Sequence, residues 1–429
     1  MSRLSRLSKD ELIRGSFVLF FMIVVYNFFN YVFQISMARL LGPEDYSILA
    51  VLMSLIYFFS IPSETIQTII TKHTSNLSTH NSLGKIKDLL IRNLRGFFFL
   101  AIVAFGFYLV LSWPIASFLS IDIGLVMLTG LFIFIVFSTP IVRGILQGTK
   151  QFFALGSNMV AESVVKLVLS VLLVIAGLRV YGAMTGVIVG CVIVFALSFI
   201  PLKKIVAQPR EKEAERFSKK YLVSFPIMIA TLSVVLFYSI DIILARAFFP
   251  PEVAGQFAFV SLIGKVIIFV SSSIGKVMFP LSTEKFESGN RNNGLLKKSL
   301  LLVLVPAVGS LILYFFFPEL IVFLLSLGSR EYLPAAGVLF TLGLAYSFLS
   351  MSNIIVLHGL SINKIRNSSW FLLVFVAIEV VLLSLFHETL AAYSLSLLLA
   401  SALMFIYSAV LAIKISLSKG ETKKEISTI

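Results

Sequence analysis

The chain has 429 residues, of which 58% are hydrophobic and only 13% are charged, and its formal net charge is +14. A soluble domain carries about 25% charged residues, so this composition excludes an ordinary water-soluble fold. The one cysteine, Cys191, excludes an intrachain disulfide and a cysteine-rich metal cluster.

Apolar runs of about 20 residues recur along the whole chain, and each is long enough to cross a hydrocarbon core of about 30 Å. Because a helix satisfies its own backbone hydrogen bonds in lipid, these runs predict an all-α polytopic membrane protein with about twelve transmembrane helices. The predicted spans are 15–38, 46–70, 96–112, 122–142, 155–178, 181–202, 222–248, 253–280, 299–317, 334–358, 368–386 and 389–413. Residues 1–14 are basic and amphipathic, which is typical of a helix lying on the membrane surface. The first apolar run is too long for the core of a cleaved signal peptide.

The basic residues predict the orientation of the chain. With the N-terminus inside, 28 of the 35 lysines and arginines lie on the cytoplasmic side, four lie on the outer side and three lie within spans. This asymmetry follows the positive-inside rule and predicts a multi-pass protein of the cytoplasmic (inner) membrane, with both termini inside. Because the basic residues are spread over seven short loops, we expect contacts with membrane lipids and no binding of nucleic acid.

Two short patterns recur along the chain. Ala38-Arg39 at the end of span 1 matches Ala245-Arg246 at the end of span 7, at an offset of 207. Leu146-Gln147-Gly148 matches Leu357-His358-Gly359, at an offset of 211. Six spans separate the copies, so the chain is predicted to form two parallel six-helix lobes, a common transporter design. The predicted parts are an N-terminal lobe (1–202), a basic cytoplasmic linker (203–220), a C-terminal lobe (221–415) and a cytoplasmic tail (416–429).

Residues near the ends of three spans resemble those of a known family. The stretch Ala38-Arg-Leu-Leu-Gly-Pro-Glu-Asp-Tyr46 resembles the outer turn of the polysaccharide flippases in the multidrug/oligosaccharidyl-lipid/polysaccharide exporter superfamily. The stretches 143–150 and 277–284 are similar to that family as well. The resemblance implies a V-shaped pair of six-helix bundles that alternate between inward-open and outward-open states. It also implies a cargo of polyprenyl-diphosphate-linked oligosaccharide, with polysaccharide polymerase or glycosyltransferase machinery as candidate partners.

Polar residues within spans are costly in lipid, so each one is a candidate functional residue. Span 8 carries Lys265 and Lys276 on one helical face, together with Ser261 and Ser272. If this face lines a central cavity, its ammonium groups are suited to hold a diphosphate by charge attraction. Alternatively, Lys276 reaches the cytoplasmic headgroups with its long side chain.

Further polar stripes predict substrate contacts with sugars. The predicted residues are Asn27, Asn30 and Gln34 in span 1, Tyr57, Glu64 and Gln67 in span 2, and Tyr238 in span 7. At the offset of 207, Gln34 matches Asp241, as expected if the stripes of spans 1 and 7 line a shared cavity. Polar contacts between neighbouring helices are the alternative, and Glu64 fits a structural ion pair equally well.

Charged residues in spans 5, 7 and 11 predict a coupling site and an ion pair. Asp241 in span 7 and Glu379 in span 11 are candidates for a coupling-cation site in the second lobe, for Na⁺ or H⁺. The resemblance favours this lobe, since related lipid II flippases are thought to bind sodium there. No other cofactor is expected. Glu162 and Lys166 in span 5 stand four residues apart in the order that favours a same-helix ion pair.

Three other functions compete with a polysaccharide flippase. A multidrug or organic-cation exporter of the same superfamily is the main alternative, because the charges within the spans do not discriminate between the two cargoes. A major-facilitator carrier is disfavoured because residues 71–95 lack that group's Gly/Asp/Arg-rich turn. A membrane enzyme is disfavoured because the outer loops are short and the sequence has no Asp-x-Asp motif. We therefore expect a flippase that works by alternating access.

Overall fold

The computed structural model describes residues 3–79, 82–211, 225–287, 294–362 and 370–417. The linker residues 212–220, the tail from residue 418, and the side chains of Lys276 and of the basic start lie outside the described residues. Within the described part, every regular element is a helix. The chain divides into two compact units, Met1–Ser224 (unit 1) and Phe225–Ile429 (unit 2). The predicted all-α fold with two lobes is therefore confirmed.

Unit 1 is built from long helices joined by short turns. Its helices are α1 (Arg3–Thr79), α2 (Leu83–Leu119), α3 (Ile123–Gly130), α4 (Phe132–Gly148), α5 (Phe152–Leu173), α6 (Arg179–Leu197) and the short α7 (Lys203–Val206). A single π-helical turn, Val174–Leu178, joins α5 to α6. Leu131 alone separates α3 from α4, so both belong to the predicted span 122–142.

Helix α1 turns back on itself at Gly42. This residue has φ 72° and ψ 172°, a region that glycine enters without steric cost, and Pro43 is preorganised for the first position of the next helical half. The Tyr46 hydroxyl donates to Gln34 Oε1 at 3.4 Å, although these residues would lie about 18 Å apart along a straight helix. Helix α1 therefore consists of two antiparallel halves, as the separate spans 15–38 and 46–70 predict.

The turn after Gly42 is fixed by an ion pair to the start of α6. Arg179 donates from Nε to Asp45 Oδ2 at 2.6 Å and from Nη2 to Asp45 Oδ1 at 2.8 Å. Arg179 follows Gly177, whose φ of 91° reverses the chain between α5 and α6. In the turn that carries the family resemblance, Gly42 and Pro43 therefore provide the backbone geometry. Asp45 attaches the turn to α6 through Arg179.

Helix α4 packs closely against the second half of α1. A Cβ atom at Gly144 would lie 2.8 Å from the Ile70 side chain, and one at Gly148 would lie 2.6 Å from Cβ of Thr74. Both distances are too short for a side chain, so this approach of the two helices requires glycine. Ile70 and Ile141 are fully buried in the apolar core beside this contact.

Unit 2 repeats this pattern of long helices and short turns. Its helices are α8 (Phe225–Phe248), α9 (Pro251–Gly264), α10 (Val266–Glu287), α11 (Gly294–Phe316), α12 (Pro318–Leu325), α13 (Leu339–Ser361), α14 (Phe371–Leu385) and α15 (Leu390–Leu417). A 3₁₀ helix, Leu333–Val338, precedes α13. Pro251 begins α9 as Pro43 begins the second half of α1, and Lys265 alone separates α9 from α10.

The described helices make the chain a multi-pass membrane protein. Among the described residues, nine helical segments are long and apolar enough to cross a membrane. Two of them, Val18–Ser78 and Phe152–Leu197, are interrupted at Gly42 and Gly177, so each accommodates two predicted spans. Phe371–Leu385 is a shorter apolar helix. The count of twelve and the orientation of the chain stay predictions.

The internal repeat extends to side-chain contacts. In unit 1, Thr71 Oγ1 donates to Gln147 Oε1 at 3.3 Å, linking α1 to α4. In unit 2, Ser282 Oγ and His358 Nδ1 lie 2.9 Å apart, linking α10 to α13. Both members of the second pair follow their counterparts at the offset of 211. The two units therefore use equivalent positions for equivalent contacts between helices.

Candidate functional site

Asp241 on α8 and Lys265 between α9 and α10 form a buried ion pair in unit 2. Lys265 Nζ lies 3.0 Å from Oδ1 and 2.9 Å from Oδ2 of Asp241. The Asp241 side chain is 0% exposed and the Lys265 side chain is 6% exposed. Because a buried charge is costly unless it is paired, each of these side chains depends on the other.

Hydroxyl groups from three helices surround this pair. Ser261 Oγ donates to Asp241 Oδ2 at 3.0 Å, and the Tyr346 hydroxyl donates to the same oxygen. The Tyr393 hydroxyl donates to the backbone oxygen of Asp241 at 2.7 Å. Lys265 Nζ also lies 5.3 Å from the centre of the Tyr346 ring, which is within the range of a cation–π contact. These contacts fix the carboxylate from several sides.

Glu379 on α14 adds a second buried carboxylate. It is 0% exposed, and neither carboxylate oxygen has a hydrogen-bond partner within the described part of the chain. It lies close enough to Asp241 and Lys265 to interact electrostatically with both. We call these three residues the charged cluster. When all three are ionised, two negative charges face one positive charge, so one proton or one monovalent cation balances the cluster.

The equivalent position in unit 1 is neutral. Gln34 precedes Asp241 by 207 residues, and Tyr57 precedes Lys265 by 208. Gln34 accepts a hydrogen bond from the Tyr46 hydroxyl at 3.4 Å, whereas Asp241 is paired with Lys265 in unit 2. These repeat positions therefore carry uncharged side chains in unit 1 and an ion pair in unit 2.

Unit 1 instead holds a polar network between α1, α4 and α5. Arg143 donates from Nη2 to Glu162 Oε2 at 2.7 Å and from Nε to Asn158 Oδ1 at 3.0 Å. Lys166 donates to Asn30 Oδ1. The predicted same-helix pair of Glu162 with Lys166 is therefore wrong, because neighbouring helices supply a closer partner for each side chain.

The other predicted site residues have separate surroundings. Gln67 Nε2 donates to Gln147 Oε1 at 2.9 Å, so Gln67 ties α1 to α4. Glu64 and Asn27 are exposed, and Tyr238 is half-buried. These placements do not by themselves assign a substrate contact to any of the four predicted residues.

Sequence reasoning missed two members of the site, Tyr346 and Tyr393. They stand 105 and 152 residues from Asp241 in the chain, and no helical spacing connects positions so distant. The available signal was chemical. A tyrosine buried in an apolar helix needs a partner for its hydroxyl group, and the polar residues of span 7 were candidates for that role.

Comparison with protein families gives a match over more than half of the chain. The sequence model of a family described as "Polysaccharide biosynthesis protein" matches residues 12–286. This range contains the turn at Gly42, Asp241 and Lys265. No curated protein sequence matches the chain significantly.

Solved structures share the fold over nearly the whole chain. The inward-facing structure of a multidrug resistance MATE family transporter of the MOP superfamily aligns with a TM-score of 0.71 at 13% identity, covering 90% of this chain and 95% of that chain. The MATE multidrug transporter DinF-BH in complex with R6G aligns with a TM-score of 0.64 at 16% identity, covering 94% of this chain and 95% of that chain. A MOP superfamily transporter from Pyrococcus furiosus is described as having a binding pocket of reverse polarity. It aligns with a TM-score of 0.57 at 15% identity, covering 95% of this chain and 96% of that chain. Identities this low establish the fold alone.

Proposed function

Since the chain belongs to the polysaccharide biosynthesis protein family, a family of membrane transporters in the MOP superfamily, we propose that it exports a polyprenyl-diphosphate-linked oligosaccharide across the cytoplasmic membrane. The cargo is a precursor of a surface polysaccharide and moves from the inner to the outer leaflet. Polysaccharide polymerase or glycosyltransferase enzymes are the partners that we expect to make or use it.

The charge balance of the charged cluster supports transport driven by a cation. Glu379 is buried without a hydrogen-bond partner in the described structure, beside an ion pair that already uses the charge of Lys265. A buried unpaired carboxylate is stable only when a proton or a cation neutralises it. Binding of one H⁺ or Na⁺ therefore changes the stability of this packing of α8, α9 and α14.

Alternating access follows if the two conformations differ in their affinity for that cation. A ligand shifts a conformational equilibrium only by the difference in its binding free energy between the states. The described conformation, in which the cluster is closed, favours the neutralised form. A conformation that opens the cluster to water favours the ionised form, so a cation gradient can drive the exchange between them.

The burial of Lys265 changes the role that we assign to it. Its ammonium group is enclosed with Asp241, so a diphosphate reaches it only after this ion pair opens. We therefore assign Lys265 first to the charged cluster, where it sets the net charge to be balanced. We assign contact with the cargo to Lys276 and to the polar face of α1, which carries Gln67 and Tyr57.

A multidrug exporter is the alternative function, and the similarity to MATE multidrug transporters favours it. A cluster with a net negative charge suits coupling in either kind of exporter. The cargo must therefore be tested directly. The assay uses purified protein in liposomes that contain a fluorescent polyprenyl-diphosphate-linked disaccharide, with a membrane-impermeant glycosidase outside. Uptake of ethidium is measured in a parallel sample.

We expect wild-type protein to expose the disaccharide lipid to the glycosidase, at a rate that rises with an imposed Na⁺ or H⁺ gradient. Glu379→Gln should remove the dependence on the gradient, because the cluster then carries no charge to be balanced. Glu319→Gln, on the exposed surface of α12, is the matched control and should behave as wild type. Gradient-driven ethidium uptake without movement of the glycolipid would favour the multidrug exporter. An unchanged gradient response in Glu379→Gln would remove the cluster from the coupling mechanism.

A further inference from the structure

A polar cavity lies at the predicted cytoplasmic end of unit 1. Its volume is about 360 Å³, at the lower end of the range of about 300–1,000 Å³ that is usual for ligand sites. It is open to the surface between the second half of α1 and the end of α4. The lining residues are Thr68, Thr71, Lys72, Ser75, Asn76 and Gln147. We call it the cytoplasmic pocket.

The wall formed by Gln147 is fixed by contacts to α1. Its side-chain oxygen accepts hydrogen bonds from Gln67 Nε2 at 2.9 Å and from Thr71 Oγ1 at 3.3 Å. The side-chain NH₂ of Gln147 is therefore the group left to donate to a ligand. The following residue, Gly148, lets α4 approach α1 closely, since a Cβ there would lie 2.7 Å from the backbone oxygen of Thr71. The pocket is thus formed by the packing of the helices and does not depend on a loop.

The chemistry of the lining suits an anion that also carries hydroxyl groups. The six lining side chains provide one ammonium group, three hydroxyl groups and two carboxamides, and none of them is a carboxylate. An organic cation would find no opposite charge there. A phosphate finds the ammonium of Lys72. A sugar finds acceptors in the hydroxyls of Thr68 and Thr71, which donate to Glu64 and Gln147, and donors in the carboxamides.

The described counterparts of Thr71 and Lys72 in unit 2 make direct contacts between helices. Ser282 takes the place of Thr71 and lies 2.9 Å from His358, and both side chains are buried. Thr283, which takes the place of Lys72, donates to the backbone oxygen of Ser361 at 3.3 Å. The repeat therefore carries an open site with a lysine in unit 1 and a buried Ser282–His358 contact in unit 2.

We propose that the cytoplasmic pocket binds the glycosyl phosphate end of the lipid-linked cargo before transport. This proposal rests on the proposed function, and it names the part of the cargo that is recognised. The pocket has room for a phosphate with its adjoining sugar and not for a complete oligosaccharide. It lies on the same face of α1 as Gln67 and Glu64, so the bound headgroup is placed at one end of the polar stripe that the cargo then follows.

A cysteine-protection experiment tests the pocket directly. Ser75→Cys is introduced together with Cys191→Ala, so that the new thiol is the only one in the full-length protein. The rate of its reaction with N-ethylmaleimide is measured in nanodiscs of phosphatidylcholine. The probes are geranyl-diphosphate-linked N-acetylglucosamine, inorganic pyrophosphate, and nanodiscs in which phosphatidylglycerol replaces half of the phosphatidylcholine. Ser117→Cys, which lies away from the pocket on α2, is the control thiol.

The glycosyl diphosphate should slow labelling of Ser75→Cys and leave Ser117→Cys unchanged. Addition of Lys72→Gln should raise the concentration needed for half-protection about tenfold, as expected for the loss of one charge-assisted hydrogen bond. Lys204→Gln, an exposed lysine on α7, should leave that concentration unchanged. Weaker protection by pyrophosphate alone would show that the sugar contributes and would support the proposal.

Two results would overturn the proposal. Equal protection by phosphatidylglycerol would assign the pocket to lipid headgroups, and the absence of protection by the glycosyl diphosphate would show that it does not bind the cargo. The liposome assay distinguishes a failure of the pocket proposal from a failure of the proposed function. Wild-type protein that moves the glycolipid while Ser75→Cys stays unprotected refutes the pocket alone. Wild-type protein that moves no glycolipid refutes the proposed cargo.

Discussion

The substitution Asp241→Asn keeps the shape of the side chain and removes the charge that faces Lys265. Opposite charges 2.9 Å apart attract each other by about 6 kcal/mol at an effective dielectric constant of about 20. Part of this attraction only offsets the desolvation of the two groups, and removal of one partner of a buried pair costs about 3–5 kcal/mol. Glu379 remains near Lys265 in the variant, so we expect a loss of folding stability at the lower end, about 3 kcal/mol.

The double variant Asp241→Asn/Lys265→Met tests the origin of this loss. It replaces the ion pair with two uncharged side chains and leaves no uncompensated ammonium group, while Glu379 becomes neutral by binding a proton. We therefore expect it to recover most of the lost stability, so that the two changes are strongly non-additive. Lys265→Met alone should be the least stable variant of the three, because it leaves Asp241 and Glu379 buried without a positive partner.

The free energy of unfolding can be measured by titrating the purified protein from dodecyl maltoside into sodium dodecyl sulfate and following helix content and tryptophan fluorescence. Glu319→Gln on α12 controls for the removal of a surface charge. Stability of Asp241→Asn within about 0.5 kcal/mol of wild type, the size of an ordinary surface substitution, would refute the reasoning. So would simple additivity of the two single variants.

Three further predictions use the same titration. Gly148→Ala should lose about 1–3 kcal/mol, because its Cβ meets α1 and overpacks the contact, whereas Gly309→Ala, which meets nothing within 4 Å, should be neutral or stabilising. Equal effects at the two glycines would contradict the close approach of α4 and α1. Glu162→Gln should cost about 3 kcal/mol, because it leaves Arg143, whose side chain is only 12% exposed, without a carboxylate. Wild-type stability would argue against that ion pair. Glu379→Leu should gain about 1–3 kcal/mol by removing two oxygens without partners while losing gradient-driven transport, and a less stable protein would show that the carboxylate is satisfied in the native state.

Much of the fold could be predicted from the sequence, because the bilayer imposes strong one-dimensional rules. A span must be apolar over about 20 residues, so hydropathy located the long apolar helices that the structure describes, but not the short helices α7 and α12. The turn at Gly42 was visible as Gly-Pro-Glu-Asp, since a positive φ and a helix start favour those residue types. The offset of 211 between Gln147 and His358 predicted a repeat whose equivalent side-chain contacts appear in both units.

The sequence by itself also determined which polar residues share a helical face, including Asp241 with Tyr238 and Lys265 with Ser261, because helical spacing is a local property. Only the tertiary structure decided which faces meet. In the structure Asp241 contacts Lys265 and Tyr346, and Glu162 pairs with Arg143 and not with Lys166. The physical reason is that a buried charge takes the nearest good partner in space. Helical periodicity fixes the direction of each side chain on its own helix, whereas packing between helices fixes which residue each side chain contacts.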